Sequence, residues 1–290
     1  MVNKIALGTA QFGLDYGIAN KIGRVQKAGA AEILELAKSL CIDTLDTATA
    51  YGESEKALGS VGVEGWQVIS KLSALPVDIV DVDGWIEGQV YDSCQRLKVD
   101  NLYGLLLHRP VQLVEARGEE IRNALYKLKQ NGWVKKIGVS VYEPAELDPI
   151  FSMMKVDLVQ APFSIVDQRL AESGWIKRLQ DKGCELHVRS VFLQGLLLMS
   201  SEQRPSQFGR WEALWDTWDA WLKETGLTAL EACLRYVLSI EGISKVVLGV
   251  ESASQLKEIF IASSGSLPAI PGNLALCDKE LLNPALWVNK

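Results

Sequence analysis

Ile5-Ala6-Leu7-Gly8-Thr9-Ala10-Gln11-Phe12-Gly13 discriminates between the two folds open to this chain. Its first four residues read as a strand, because a short apolar run ending in glycine suits a parallel sheet covered on both faces. The continuation, Gly8-Thr9-Ala10-Gln11-Phe12-Gly13, lacks the Gly-x-Gly-x-x-Gly that opens a doubly wound dinucleotide-binding sheet. The same strand–helix units closed into a barrel are the better reading.

Outward from this stretch the units recur. Strands are predicted over Thr44–Asp46, Gln67–Lys71, Leu102–His108, Lys136–Ser140, Leu158–Gln160, Glu185–Phe192 and Lys245–Leu248. Helical spacing of apolar residues is predicted over Gln26–Leu40, Ser54–Leu58, Val82–Leu97, Glu120–Gln130, Pro144–Met153 and Arg169–Lys182. After a polar insertion at Ser200–Arg210, further helices are expected over Trp211–Glu224, Ala229–Ser239 and Ser254–Ala262. Stops and starts agree with this: Asn131-Gly132 ends one helix and Thr228 caps another. Eight strands, each followed by helix, with no break in composition, predict an α/β fold, a (β/α)8 TIM barrel forming a single domain over 1–290 with a carboxy-terminal tail from about 268.

Composition narrows the function. The 290 residues are 48% apolar, enough for a substantial core, and the net charge of −6 comes with no basic block, against nucleic acid or an anionic membrane as partner. The most apolar run, Val191–Met199, is interrupted by Gln194 and Gly195 and falls short of the ~18 residues of a membrane span. The amino terminus, from Met1, enters strand-like sequence with no secretory apolar region. Five cysteines without a Cys-x-x-Cys read as reduced thiols, and a cytoplasmic location is expected. Two histidines, His108 and His187, exclude a multi-histidine metal site, and no metal is expected.

Barrel enzymes carry their chemistry where the strands end. Those ends hold Asp46, followed by Thr47-Ala48-Thr49-Ala50-Tyr51-Gly52, then Lys71, then His108. Each has an ordinary structural reading alone: a turn cap, a packed aromatic, a solvated lysine, a core histidine. Together they converge, since adjacent strands lie ~4.8 Å apart. A lysine ending an apolar strand needs a paired charge, and Asp46 is its natural partner. A free tyrosine, with pKa ~10, is a poor acid near neutrality, and a neighbouring Lys71 ammonium is expected to lower that value. Tyr51 would then protonate a carbonyl oxygen held by His108 as hydride reaches carbon. No side chain supplies hydride, so a nicotinamide or flavin must.

Asp46 and Tyr51 in Asp-Thr-Ala-Thr-Ala-Tyr-Gly, Lys71 in Val-Ile-Ser-Lys and His108 in Leu-Leu-His-Arg-Pro resemble the Asp-Tyr-Lys-His tetrad of the aldo-keto reductase family. Leu7–Gly13, the segment Gly132–Ser140 and Gln194-Gly195-Leu196-Leu197 extend the resemblance over nearly the whole chain. It implies a barrel that reduces aldehydes and ketones with NADPH or NADH, as a monomer or small homo-oligomer. The coenzyme residues it implies are Gly8 and Thr9 after the first strand, Ser140 and Gln160 on the carboxamide, Arg189, Ser190, Phe192, Gln194 and Gly195 around the seventh strand, and Gly249, Ser252 and Gln255 around the eighth.

Three departures from the family pattern matter. Val141 replaces the asparagine that usually follows the serine, and Arg189 replaces the tyrosine that stacks on the nicotinamide, so either the coenzyme pose changes or the arginine turns to substrate. After the eighth strand no cation occurs until Lys257, and Glu251 stands nearby, which weakens recognition of a 2′-phosphate and makes NADH a serious option. The first loop, through Phe12, Asp15 and Tyr16, is expected to meet a small-molecule carbonyl substrate; its likeness to family members encoded with surface-polysaccharide enzymes implies a sugar-like one. Trp211, Trp215, Trp218 and Trp221 form one helical stripe, read first as packing against the barrel and second as an interface or aromatic wall. Two other function classes are carried: a coenzyme-binding regulatory module without turnover, and a barrel isomerase or lyase using Lys71 as an imine-forming amine.

Overall fold

The computed structural model describes residues 4–18, 20 and 23–287. Met1–Asn3, read above as the lead into the first strand, Ala19 of the first loop and the last three residues of the tail lie outside them. The strands β1 (Ile5–Gly8), β2 (Thr44–Asp46), β3 (Gln67–Leu72), β4 (Leu102–Leu107), β5 (Val134–Ser140), β6 (Leu158–Pro162), β7 (Glu185–Arg189) and β8 (Lys245–Gly249) form a closed barrel in sequence order. Every pairing is parallel, including β1 with β8, where Ile5 faces Val246 and Gly8 faces Gly249. The predicted (β/α)8 barrel is the fold observed.

The helices in chain order are α1 (Ala10–Gly13), α2 (Lys27–Ser39), α3 (Ser54–Val61), α4 (Val82–Leu97), α5 (Gly118–Gln130), α6 (Leu147–Met153), α7 (Arg169–Glu172), α8 (Trp175–Asp181), α9 (Glu212–Thr225), α10 (Ala229–Ser239), α11 (Ala253–Ala262) and α12 (Lys279–Leu282). Two apolar compartments result, as in any filled barrel. Ile69, Leu106 and Leu158, with Tyr103 against them, fill the barrel interior, while the main core lies between sheet and helices. Continuous runs such as Leu105-Leu106-Leu107 are buried on both faces for that reason. Gly138 belongs to the interior, where a Cβ would lie 2.1 Å from the Leu158 carbonyl oxygen.

Several boundaries differ from expectation, each with a local cause. The single helix expected over Arg169–Lys182 is two, because Gly174 adopts φ 74° between them. The strand expected to reach Phe192 stops at Arg189: Ser190 has φ 62°, and Leu193 and Gln194 are also left-handed, so the chain turns over the barrel mouth. Thr228 caps α10 as expected, in a reciprocal capping box with Glu231. The tryptophan stripe packs inward. Trp215, Trp218 and Trp221 are buried, and their indole N–H groups donate to the carbonyls of Phe208, Leu197 and Ala269. The tail continues over this face: Trp211 donates to Asp278, and Trp287 meets Phe208 edge-on at 4.8 Å.

Candidate active site

β2 ends at Asp46, whose side chain is only 4% exposed. One carboxylate oxygen, Oδ1, accepts from Lys71 Nζ at 2.6 Å, and the other, Oδ2, accepts from Gln160 Nε2 at 2.6 Å. The lysine also donates to the Thr47 carbonyl at 3.0 Å. Side chains from β2, β3 and β6 thus meet beneath the mouth, which sequence-distant residues manage only in a closed barrel. Burial disfavours the Lys71 charge, but Asp46 and Tyr51 outweigh it and hold the ammonium above its usual range.

Tyr51 stands in the turn after β2, and its ring centroid is 5.0 Å from Lys71 Nζ. The turn is clamped against the first loop. A Cβ on Gly13 would fall 1.8 Å from the Tyr51 carbonyl oxygen, and Gly52 has φ 54° beside the Gly13 carbonyl. The hydroxyls of Thr9, Thr47 and Ser54 hold the same segment: Ser54 donates to the Thr9 carbonyl at 2.8 Å, and Thr9 to the Asp46 carbonyl at 3.0 Å. His108 follows β4 and meets the Tyr51 ring edge-on at 6.2 Å. Burial first, and then the Lys71 and Arg189 cations, push its pKa down to about 4, so the ring is neutral near pH 7.

A cavity of about 460 Å³ opens above these groups and extends to β8 and α11. Tyr51, His108 and Asp46 face it, whereas Lys71, 1% exposed, does not. Lys71 is therefore placed behind the tyrosine, and its charged, paired nitrogen is not set to form an imine with a ligand. Of the coenzyme residues read from the sequence, Gly8, Thr9, Ser140, Gln160, Arg189, Ser190, Phe192, Gln194, Gly195, Gly249 and Gln255 line the cavity. Ser252 does not; its hydroxyl caps α11 by accepting from the Gln255 N–H. Of the expected substrate residues, Tyr16 lines the cavity. Phe12 instead lies in the main core and Asp15 is exposed beside Gly23.

The cavity also recruits residues that sequence reasoning missed. Tyr142, two residues beyond Ser140, carries the Arg189 guanidinium over its ring at 4.4 Å. Its position past a strand end was the available signal. Gln11 lies against Gly249, where a Cβ would come within 2.5 Å of its amide nitrogen, and Glu258 closes the α11 end. Gln11, just past the end of β1, carried that same signal, whereas Glu258 had none, since it reaches the mouth only through α11.

The residues present fit a nicotinamide coenzyme. Gln160 is fully buried, and with its amide nitrogen committed to Asp46 its Oε1 has no partner among the described residues. A primary carboxamide is the group that would donate to it, beside the Ser140 hydroxyl. The model of the Aldo/keto reductase family matches residues 4–269. The chain belongs to the aldo/keto reductase family. This aldo/keto reductase is an NAD(P)H-dependent oxidoreductase. It is 25% identical over 279 residues to the uncharacterized oxidoreductase YqkF of Bacillus subtilis (strain 168), covering 89% of this chain and 90% of that protein. Its fold matches two solved structures at a TM-score of 0.70 each. One is the holo form of aldo-keto reductase AKR11C1 from Bacillus halodurans (21% identity, 92% of this chain and 89% of that one). The other is glycerol dehydrogenase AKR11B4 from Gluconobacter oxydans (20% identity, 92% and 88%). Among the described residues no group of side chains is arranged to hold a metal ion, and no helix is long and apolar enough to cross a membrane.

Proposed function

We propose that this aldo/keto reductase reduces a small aldehyde or ketone, with Tyr51 as proton donor, His108 as the carbonyl-orienting donor, and Lys71 and Asp46 as positioning residues. The observation that carries this reading is the buried Asp46–Lys71 pair at 2.6 Å lying behind a tyrosine that faces a cavity. Bound nicotinamide supplies the hydride. Ser140 and the free oxygen of Gln160 would hold its carboxamide.

The division of labour follows from the charges. A neutral His108 donates one N–H to the carbonyl oxygen without carrying the proton to be transferred. That leaves Tyr51 to deliver it. The Lys71 ammonium, 5.0 Å from the tyrosine ring centroid, stabilises the negative charge left on the phenol oxygen. Asp46 keeps the ammonium charged and fixed, and Gln160 ties down the second carboxylate oxygen.

NADH is the coenzyme this site favours over NADPH. Among the described residues Arg189 is the one lysine or arginine lining the cavity, and the α11 end carries Glu251 and Glu258. A 2′-phosphate would meet carboxylates there, whereas a ribose hydroxyl donates to them. Gln255 and Ser252 are occupied in the local turn: Gln255 Oε1 accepts from the Glu251 N–H at 2.7 Å. The polar rim formed by Gln11 and Gln194 supports a hydroxylated, sugar-like substrate. The test is a paired fluorescence titration with NADH and NADPH followed by turnover of simple aldehydes. Tighter NADH binding with turnover that Tyr51→Phe abolishes is expected; binding without turnover on any carbonyl compound would replace the reductase by a coenzyme-binding module.

A further inference from the structure

Among the described residues most half-buried arginines are ion-paired; the exceptions are Arg122, which lies on α5 away from the cavity and donates to the Leu113 carbonyl, and Arg189. Arg96 meets Glu55, Arg169 meets Asp167 and Glu143, Arg204 meets Asp219, and Arg235 meets Glu231. Arg189 makes no ion pair among the described residues. Its Nη2 donates to the Val141 carbonyl at 3.1 Å, its Nη1 to the Ser190 hydroxyl at 3.2 Å, and the guanidinium lies over Tyr142. These contacts fix its plane and leave its charge without a counterion. A guanidinium has five N–H donors, so most remain free. Arg189 also lines the same cavity as Tyr51 and His108.

The charges around the cavity are segregated. Asp46 and Lys71 neutralise each other, so the reacting end carries the net positive charge of Arg189. Its field reaches both His108 and Tyr16. The carboxylates Glu251 and Glu258 line the cavity after β8 and on α11. This distribution sorts a ligand by charge: an anionic group settles at Arg189 and is repelled from the two carboxylates.

The geometry points to Arg189 as a substrate-anion anchor: the carbonyl substrate carries a compact oxyanion, a carboxylate or phosphate, a few bonds from its carbonyl. A planar fork held on an aromatic face suits bidentate capture of either group. The inference rests on the reductase reading above and names the substrate class for that same site.

The test compares matched pairs with NADH: ω-oxo acids of two to five carbons against the corresponding unbranched aldehydes, and glycolaldehyde phosphate against glycolaldehyde. In the unaltered enzyme the best charged member is expected to exceed its neutral match in kcat/KM by on the order of tenfold to a hundredfold. The carboxylate and phosphate arms identify which oxyanion is preferred. Arg189→Gln should bring the ratio close to one, and Arg189→Lys should restore part of it. A titration with succinate and with inorganic phosphate, with and without NADH, gives a readout free of turnover: at least one should bind, and its Kd should rise by about tenfold or more in Arg189→Gln. A charged-to-neutral ratio near one in the unaltered enzyme, or one unchanged in Arg189→Gln, overturns the proposal. So does an Arg189→Gln variant that weakens NADH while keeping the ratio, which would assign the arginine to the coenzyme. If no aldehyde is turned over, the reductase reading fails and the two anion titrations alone decide whether Arg189 is an anion site.

Discussion

Lys71 Nζ and Asp46 Oδ1 lie 2.6 Å apart with side chains 1% and 4% exposed. An ion pair removed from water this completely is held by geometry, and losing one member strands the other. Asp46→Asn should therefore destabilise the protein by about 3–5 kcal/mol in chemical denaturation. Turnover should fall as well, because the lysine loses its anchor. Unfolding curves superimposable on those of the unaltered protein would show that the pair is not coupled as described.

Tyr51→Phe removes one oxygen and the transferable proton. It should lower kcat by about 10²–10⁴-fold, the range of a lost acid–base group. NADH affinity, followed by fluorescence, should change by less than about threefold, since the ring and its packing persist. A variant that still turns over at the original rate would pass the proton-donor role to another group.

Burial and the Lys71 and Arg189 cations push the His108 pKa down to about 4. In an unfolded chain a histidine titrates near ~6.5. The folded state therefore binds this proton less readily. The stability His108 contributes by staying neutral is full above about pH 6.5 and is lost as pH falls toward 4. Allowing for screening at the open mouth, about 2 kcal/mol of the stability difference between pH 7 and pH 4.5 belongs to this residue. His108→Gln should reduce that difference by the same amount in urea unfolding at the two pH values. Turnover should show no histidine-like ionisation between pH 6 and 8.

Gly13 supports Tyr51 from outside the reacting centre. A Cβ there would sit 1.8 Å from the Tyr51 carbonyl oxygen and 2.5 Å from the Ser54 nitrogen, both backbone atoms that cannot step aside cheaply. Gly13→Ala should cost about 1–3 kcal/mol by overpacking and displace the tyrosine turn. The signature is a fall in kcat larger than the change in coenzyme affinity. Gly88, in exposed α4 with open space at its Cβ, is the control position, where alanine should be tolerated.

Gln255 stands half-buried in the first turn of α11 beside Glu251. On the coenzyme placement proposed above, Gln255→Arg adds a cation near the 2′-phosphate of NADPH and should strengthen NADPH binding about tenfold, with little effect on NADH. Equal NADPH titration curves for Gln255→Arg and the unaltered protein would show that the adenosine end lies elsewhere.

Most of the barrel was legible along the chain. Short apolar strands, amphipathic helices and glycine stops are local signals, and each unit states its own period. The clustering of Asp46, Tyr51, Lys71 and His108 was legible too, because residues at and just past the strand ends of a parallel barrel share its mouth. Gly174, Ser190 and Gln194 broke expected elements through left-handed backbone, which a propensity pattern does not report. Phe12 and Asp15 belonged to a loop placed correctly over the mouth, but the direction of each side chain depends on packing against the Tyr51 turn and Gly23.

Residue types and their order along the chain are enough for a closed parallel barrel with an acid, a lysine, a tyrosine and a histidine at its mouth. They do not say that Gln160 would spend its nitrogen on Asp46 and keep its oxygen free, that Tyr142 would carry Arg189, or that this arginine would lack a carboxylate. Those facts join β2 to β6, and β7 to the turn after β5, over as many as the 114 positions between Asp46 and Gln160. Which polar groups pair and which remain unpaired is settled when the barrel closes, since only then do distances between strands become short enough for hydrogen bonds and charges to choose partners.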